Sequence, residues 1–233
     1  MTGTRDEILE HARELYLAEG GEGFSMREVA RRVGVTAPAL YRHFEGRDDL
    51  LATLVEEAYA TLLRYLHRAL EGDGPADRFR RAGGAYLEFA LDQPRLYQVL
   101  YSASEVSSEG ELPPESAAHA CAIGQFWKDR VRECVDAGLL RSDLMPEEVS
   151  VTLWAHAHGL LSLYLGRMLD HDEKAFREVY GASSRRVLQG MATPGFAAAL
   201  GRAGRGDAGA RAVAAGGTRT EPPSPDTTAT DER

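Results

Sequence analysis

Residues 25–44 read SMREVARRVGVTAPALYRHF. The stretch opens on a Ser-x-x-Glu pattern, in which the Ser25 hydroxyl accepts from an amide of the first helical turn while Glu28 reaches back. The short helix that follows runs to Val33, and Gly34 supplies a tight turn with positive φ. Thr36 caps a second short helix, and Pro38 falls in its first turn, where the missing N–H costs little. Val29, Val33, Val35 and Leu40 face one another across the two helices, with Ala30 small at their closest approach. The spacing predicts a helix-turn-helix, with Ile8, Leu15, Phe24 and Phe44 completing a three-helix core.

The second of these helices has a bare front and an equipped back. Thr36, Ala37, Pro38 and Ala39 carry little side chain, so a backbone led by them can come close to base edges in a DNA groove. The Thr36 methyl or Ala39 can meet a thymine methyl. Tyr41, Arg42 and His43 stand further back, within reach of phosphates on the groove walls. Arg27, on the preceding helix, can reach a guanine or a phosphate, and Arg47 is placed to hold the DNA backbone.

Net charge is −9 over 233 residues, the wrong sign for a protein that coats nucleic acid. Distribution matters more than the total. Between Ser25 and Arg47 there are arginines at 27, 31, 32, 42 and 47 against Glu28 and Glu45, a local basic patch on an acidic body that favours one docking orientation. The same patch also fits a solvated face.

Outside this stretch the chain up to Gly190 also reads as helix. DEILEHARELYLAEG puts Ile8, Ala12, Leu15 and Tyr16 on one stripe and stops at Gly20-Gly21. A helix of about 24 residues from Arg47 spans ~36 Å, long enough to leave one domain and enter another. Further helices are expected at about 76–92, 95–101, 115–137, 146–169 and 172–189, with a break at Gln93-Pro94 and a loop through Pro113-Pro114. No segment alternates as a strand does, so the fold class is all-α. The domains expected are a helix-turn-helix unit over 1–46 and a helical effector-binding and dimerisation unit over 47–193, with 47–71 as the connecting helix. Residues 194–233, rich in Gly, Ala, Pro and Thr, are expected to form a disordered tail, with GFAAAL able to extend the last helix.

Residues 5–52, above all FSMREVARRVGVTAPALYRHFEGRDDLL, resemble the N-terminal domain of TetR-family transcriptional regulators. The resemblance rests on the Ala-Leu-Tyr-x-His-Phe run followed by a basic residue and an acidic pair. It implies an all-α homodimer, usually a repressor, that binds a pseudo-palindromic operator in double-stranded DNA and lets go when a small-molecule effector fills the second domain. By motif position Arg27, Thr36, Ala37 and Ala39 would read bases, and Tyr41, His43 and Arg47 would hold phosphates. The family commonly has Lys where this chain has Arg47, which keeps the charge. Trp154, His158 and Gly159 are similar to a Trp-x-x-x-His-Gly signature in the second domain of one subgroup. A regulator controlled by a protein partner, or by no effector, remains open from the sequence.

The second domain offers candidates with plainer readings beside them. Its aromatic residues mostly suit a core, yet Tyr86, Phe89, Tyr97, Phe126, Trp127, Trp154 and His158 could line a ligand pocket. His156 and His158 lie two apart on a helix and point about 200° away from each other, so they do not chelate one ion. A buried, hydrogen-bonded His158 is the preferred reading. Leu153, Ala157, Leu161, Tyr164, Met168, Phe176, Val179, Tyr180, Ser183 and Val187 form the expected two-fold dimer interface. Cys121 and Cys134 sit thirteen residues apart on one helix, roughly 20 Å, too far for a disulfide, and read as buried thiols of a reducing compartment. No catalytic set, metal set or cofactor motif is present, no apolar run approaches a membrane span, and no signal peptide opens the chain, so a cytoplasmic protein that is not an enzyme is expected.

Overall fold

The computed structural model describes residues 4–102 and 114–202. The loop expected before Pro114 and the tail beyond 202 lie outside them. Helices α1 (Thr4–Gly23), α2 (Met26–Val33), α3 (Ala37–Leu40), α4 (Arg47–His67), α5 (Gly74–Asp92), α6 (Pro94–Ser102), α7 (Pro114–Asp136), α8 (Pro146–Leu165) and α9 (Glu173–Met191) follow in order. Among the described residues there is no strand, only a single antiparallel bridge between Leu140 and Ala192.

The boundaries follow local chemistry. α1 is interrupted at Gly20, whose φ of 69° takes the chain out of helical geometry where the double glycine was expected to stop it. α4 ends at His67 and tightens into a 3-10 turn over Arg68–Glu71, because Gly72 cannot continue the α-helix from an extended φ,ψ. α3 is only four residues long, but Tyr41–His43 continue it as a tight turn, with the Phe44 amide donating to the Leu40 carbonyl at 3.2 Å.

α4 builds both cores with one stripe. Leu50, Leu54, Ala58, Leu62 and Leu66, four apart, are all at most 1% exposed. The first two pack with Ile8, Leu15, Phe24, Val29, Leu40 and Phe44 of the N-terminal bundle, and the last three with Tyr86, Phe89, Leu96 and Phe126 of the second unit. Each such buried leucine contributes about 1.5–3 kcal/mol of apolar transfer. Val99 of α6 belongs to the N-terminal core, so α6 touches both units.

Two expectations are corrected. The chain does not lose regular structure at Pro194: residues 194–202 form a further helix, α10. Thr193 fastens its start, its amide donating to the Leu139 carbonyl at 2.9 Å and its hydroxyl to the Gly138 carbonyl at 2.9 Å. Cys134 is buried, with its thiol pushed up to about 11 by burial, but Cys121 is exposed, because it falls on the outer face of α7.

Candidate functional site

The helix-turn-helix is set by three local devices. The Ser25 hydroxyl accepts from the Glu28 amide at 3.3 Å. Gly34, with φ 77° and ψ 26°, caps α2 in the left-handed region, and its amide donates to the Ala30 carbonyl at 3.0 Å. The Thr36 hydroxyl accepts from the Ala39 amide at 3.3 Å. Glu28 does not reach back as a capping box requires. It accepts from Arg31 and Arg32 instead, and Arg31 first among them holds its carboxyl near 2.

These bonds divide α3 and its following turn into two faces. Leu40 and Phe44 are buried, while Thr36, Pro38, Tyr41, Arg42 and His43 are exposed and Ala37 and Ala39 are half-buried. Tyr41, a large side chain, is 54% exposed. Arg27 on α2 is exposed too. The five arginines of the patch are not equivalent. Arg31 and Arg32 are turned onto Glu28 and Glu19, and Arg47 donates through Nε to the Phe24 carbonyl at 3.1 Å. Among the described residues Arg27 and Arg42 make no ion pair, so the outward positive charge is concentrated on them.

The second unit contains a cavity of about 650 Å³ between α5, α7, α8, α9 and α10. Tyr86, Trp127 and Trp154 line it as expected, but Phe89, Tyr97, Phe126 and His158 do not. Phe89, Tyr97 and Phe126 are core residues, at most 8% exposed. His158 is half-buried and bonded, with Nδ1 2.6 Å from Tyr97 Oη and Nε2 3.4 Å from Ser162 Oγ. Burial lowers its pKa below the ordinary 6.5. Beside it Tyr86 Oη lies 2.6 Å from Tyr101 Oη, which also accepts from Trp154 Nε1 at 3.4 Å. Hydrogen bonds thus join the cavity-lining Tyr86 and Trp154 to Tyr101 of α6.

The expected dimer residues also divide. Leu161, Phe176 and Tyr180 are buried within the protomer, and Tyr164 stacks on Phe176 at 3.9 Å, so these serve the core. Leu153, Ala157 and Tyr180 line the cavity. Met168 and Val179 are exposed, and Ser183 and Val187 are half-buried. The expected set thus takes in both the inner and the outer faces of α8 and α9. Val151 and Leu163, outside the expected set, are exposed apolar side chains of α8. Also outside the expected set are Arg95 of α6, which binds Glu10 and Glu14 of α1 at 2.6 and 2.9 Å, and Phe196 and Leu200, which line the cavity from α10.

Fold and site together define a helix-turn-helix protein with a second, cavity-bearing helical unit. Residues 8–54 match the tetR family of bacterial regulatory proteins, and residues 79–187 match the tetracyclin repressor-like C-terminal domain. The chain belongs to the TetR family, whose members are transcriptional regulators and not enzymes. An HTH-type transcriptional regulator of Mycobacterium tuberculosis is 28% identical over 149 residues, which are 62% of this chain and 63% of that one. The chain thus matches less than two thirds of the length of that relative. AcrR of Shigella flexneri, also an HTH-type transcriptional regulator, is 25% identical over 171 residues, 70% of this chain and 78% of its own. A protein of unknown function from Rhodococcus sp. RHA1 superposes with a TM-score of 0.68 at 27% identity, covering 83% of this chain and 97% of that one. The ketosteroid transcriptional regulator KstR2 of Mycobacterium tuberculosis shares the fold, with a TM-score of 0.67 at 18% identity over 83% and 97% of the two chains. Among the described residues no helix is long and apolar enough to cross a membrane.

Proposed function

We propose that this chain is a DNA-binding transcriptional repressor of the cytoplasm that grips a pseudo-palindromic operator as a homodimer and releases it when a small molecule enters the second unit. The observation that carries the reading is the division of residues 36–44. Leu40 and Phe44 anchor the turn in the core, while a tip of small residues and a rear of Tyr41, Arg42 and His43 face outward. Thr36, Ala37 and Ala39 then approach base edges, Arg27 reaches a guanine or a phosphate, and Tyr41, Arg42, His43 and Arg47 hold phosphates.

Release runs through α6. Tyr86 borders the cavity and is bonded to Tyr101 of α6, while Val99 and Arg95 of the same helix engage the N-terminal core and α1. A ligand that displaces Tyr86 moves α6, and α6 carries α1 and the recognition turn with it. The ligand acts by favouring a dimer in which the two recognition turns no longer stand ~34 Å apart. The exposed apolar residues Val151, Leu163, Met168 and Val179 supply the two-fold contact.

The test is selection of bound sequences from random duplex DNA with the full chain, beside sedimentation at micromolar concentration. An inverted repeat bound by a dimer is expected. An unenriched pool, or a monomer alone, contradicts the reading.

A further inference from the structure

α5 and α9 run antiparallel along the cavity. Arg177 grips Glu88 through both terminal nitrogens at 2.5 and 2.9 Å, and Tyr180 Oη donates to the Gly83 carbonyl at 3.4 Å. Leu188 packs in the cluster that holds Phe79. The lining runs from Ala76 to Leu87 on one helix and from Arg177 to Leu188 on the other. Eleven residues at ~1.5 Å each make a trough about 16 Å long. Tyr86, Trp127 and Trp154 belong to one end and Phe79, Leu140 and Leu188 to the other.

Three of the lining residues, Gly83, Gly84 and Gly181, are glycines in helix interiors. Glycine is the poorest helix former after proline. A methyl added at any of the three meets nothing within 4 Å, so no neighbouring atom demands glycine there. What the bare backbone preserves is the width of the trough.

The polar groups of the lining narrow the class of occupant. Asp77 binds Arg80 at 2.5 Å and Arg81 at 2.7 Å, Arg177 is held by Glu88 and Glu173, and Arg185 is itself engaged. Among the described lining residues each charged side chain thus already has a partner within the protein, with Asp77 shared by two arginines. His156 lines the trough too, but its Nε2 is shut off from it, buried without a hydrogen-bond partner. The far end is walled by Phe196 and Leu200, one turn apart on α10, a helix that lies beyond the family-matched residues 79–187.

We infer that the trough binds one uncharged, elongated, largely apolar small molecule, that Gly83, Gly84 and Gly181 keep it open, and that α10 closes its far end. The inference deepens the effector reading above, but binding itself is read without DNA.

Both of the chain's two tryptophans line the trough, so intrinsic fluorescence reports on it directly. The full chain is titrated with Nile red, an uncharged apolar dye, following dye emission and quenching of Trp127 and Trp154. Saturable binding with tryptophan quenching is expected, and the anionic 8-anilinonaphthalene-1-sulfonate should bind more weakly. Gly83→Leu/Gly181→Leu should weaken Nile red at least tenfold and Phe196→Ala/Leu200→Ala at least threefold, while Gly124→Leu, on α7 outside the lining, leaves it unchanged. If the leucine pair does not fold, Gly84→Ala/Gly181→Ala, which favours the helix, should still weaken the dye measurably. Unchanged dye binding in the filled and the α10 variants, or tighter binding of the sulfonate, overturns the inference. So does a filled variant that shifts the monomer–dimer balance in light scattering and leaves the dye alone, since the trough would then be a face between copies. A chain that binds the dye yet selects no DNA sequence contradicts the regulator reading and leaves this site standing.

Discussion

The Nε of Arg47 donates to the carbonyl oxygen of Phe24 at 3.1 Å, and its guanidinium stands 5.9 Å from the centroid of the Phe24 ring. One side chain thus fastens the start of α4 to the segment that enters α2. Arg47 was expected from the sequence to hold DNA. Its place in the fold gives it a second task, which is to fix the orientation of the helix-turn-helix on the connecting helix.

Tyr41 and Arg47 should therefore separate in mutants. Arg47→Ala is expected to lose roughly 1 kcal/mol of stability, a charge-assisted bond discounted for partial exposure, and also to weaken operator binding. Tyr41→Ala, removing an exposed ring, should weaken binding with no change in the urea midpoint. Urea unfolding and fluorescence anisotropy on a selected duplex check both.

Salt dependence should be concentrated on two of the five arginines. Arg27 and Arg42 lack ion pairs among the described residues, whereas Arg31 and Arg32 are held by acids. Arg42→Ala should lower the slope of log affinity against log salt by about 1 per half-site, and Arg31→Ala by much less. Equal slopes for the two variants would contradict this assignment.

Gly34 is a pure backbone requirement. At φ 77° an alanine is strained, yet its added methyl meets nothing within 4 Å. Gly34→Ala should cost about 1–2 kcal/mol in urea unfolding, with Gly34→Asn milder because asparagine tolerates the left-handed region. A neutral Gly34→Ala would mean that the turn is built differently.

Burial lowers the pKa of both His156 and His158 below 6.5. The unfolded chain then takes up protons before the folded one, so stability is full above that value and falls as pH drops through it. The melting temperature should decline from about pH 7.5 to 5.5, and His156→Gln/His158→Gln should flatten that decline.

Legibility in the sequence followed the range of the interactions. Ser25, Gly34, Thr36 and Pro38 act within one turn, so the helix-turn-helix could be read directly. Glu28 was misassigned because two arginines three and four residues on compete for its carboxylate. On α8 and α9 apolar residues populate every face, so periodicity could not separate buried Leu161, Phe176 and Tyr180 from exposed Val151 and Val179. The trough was hidden for a related reason. Its walls come from five helices, and its clearest sequence signals were glycines inside helices and the Phe196–Leu200 pair in a segment whose composition argued for disorder.

The measurement that bears most directly on the docking of residues 36–44 is interference by methylated bases. A selected duplex is treated with dimethyl sulfate, which marks guanine N7 in the major groove and adenine N3 in the minor groove, and the fraction still bound is sequenced. Loss of binding at guanine N7 in two half-sites about one helical turn apart is the expected result. Interference confined to adenine N3, or absent from both grooves, would contradict entry of the Thr36–Ala39 tip into the major groove.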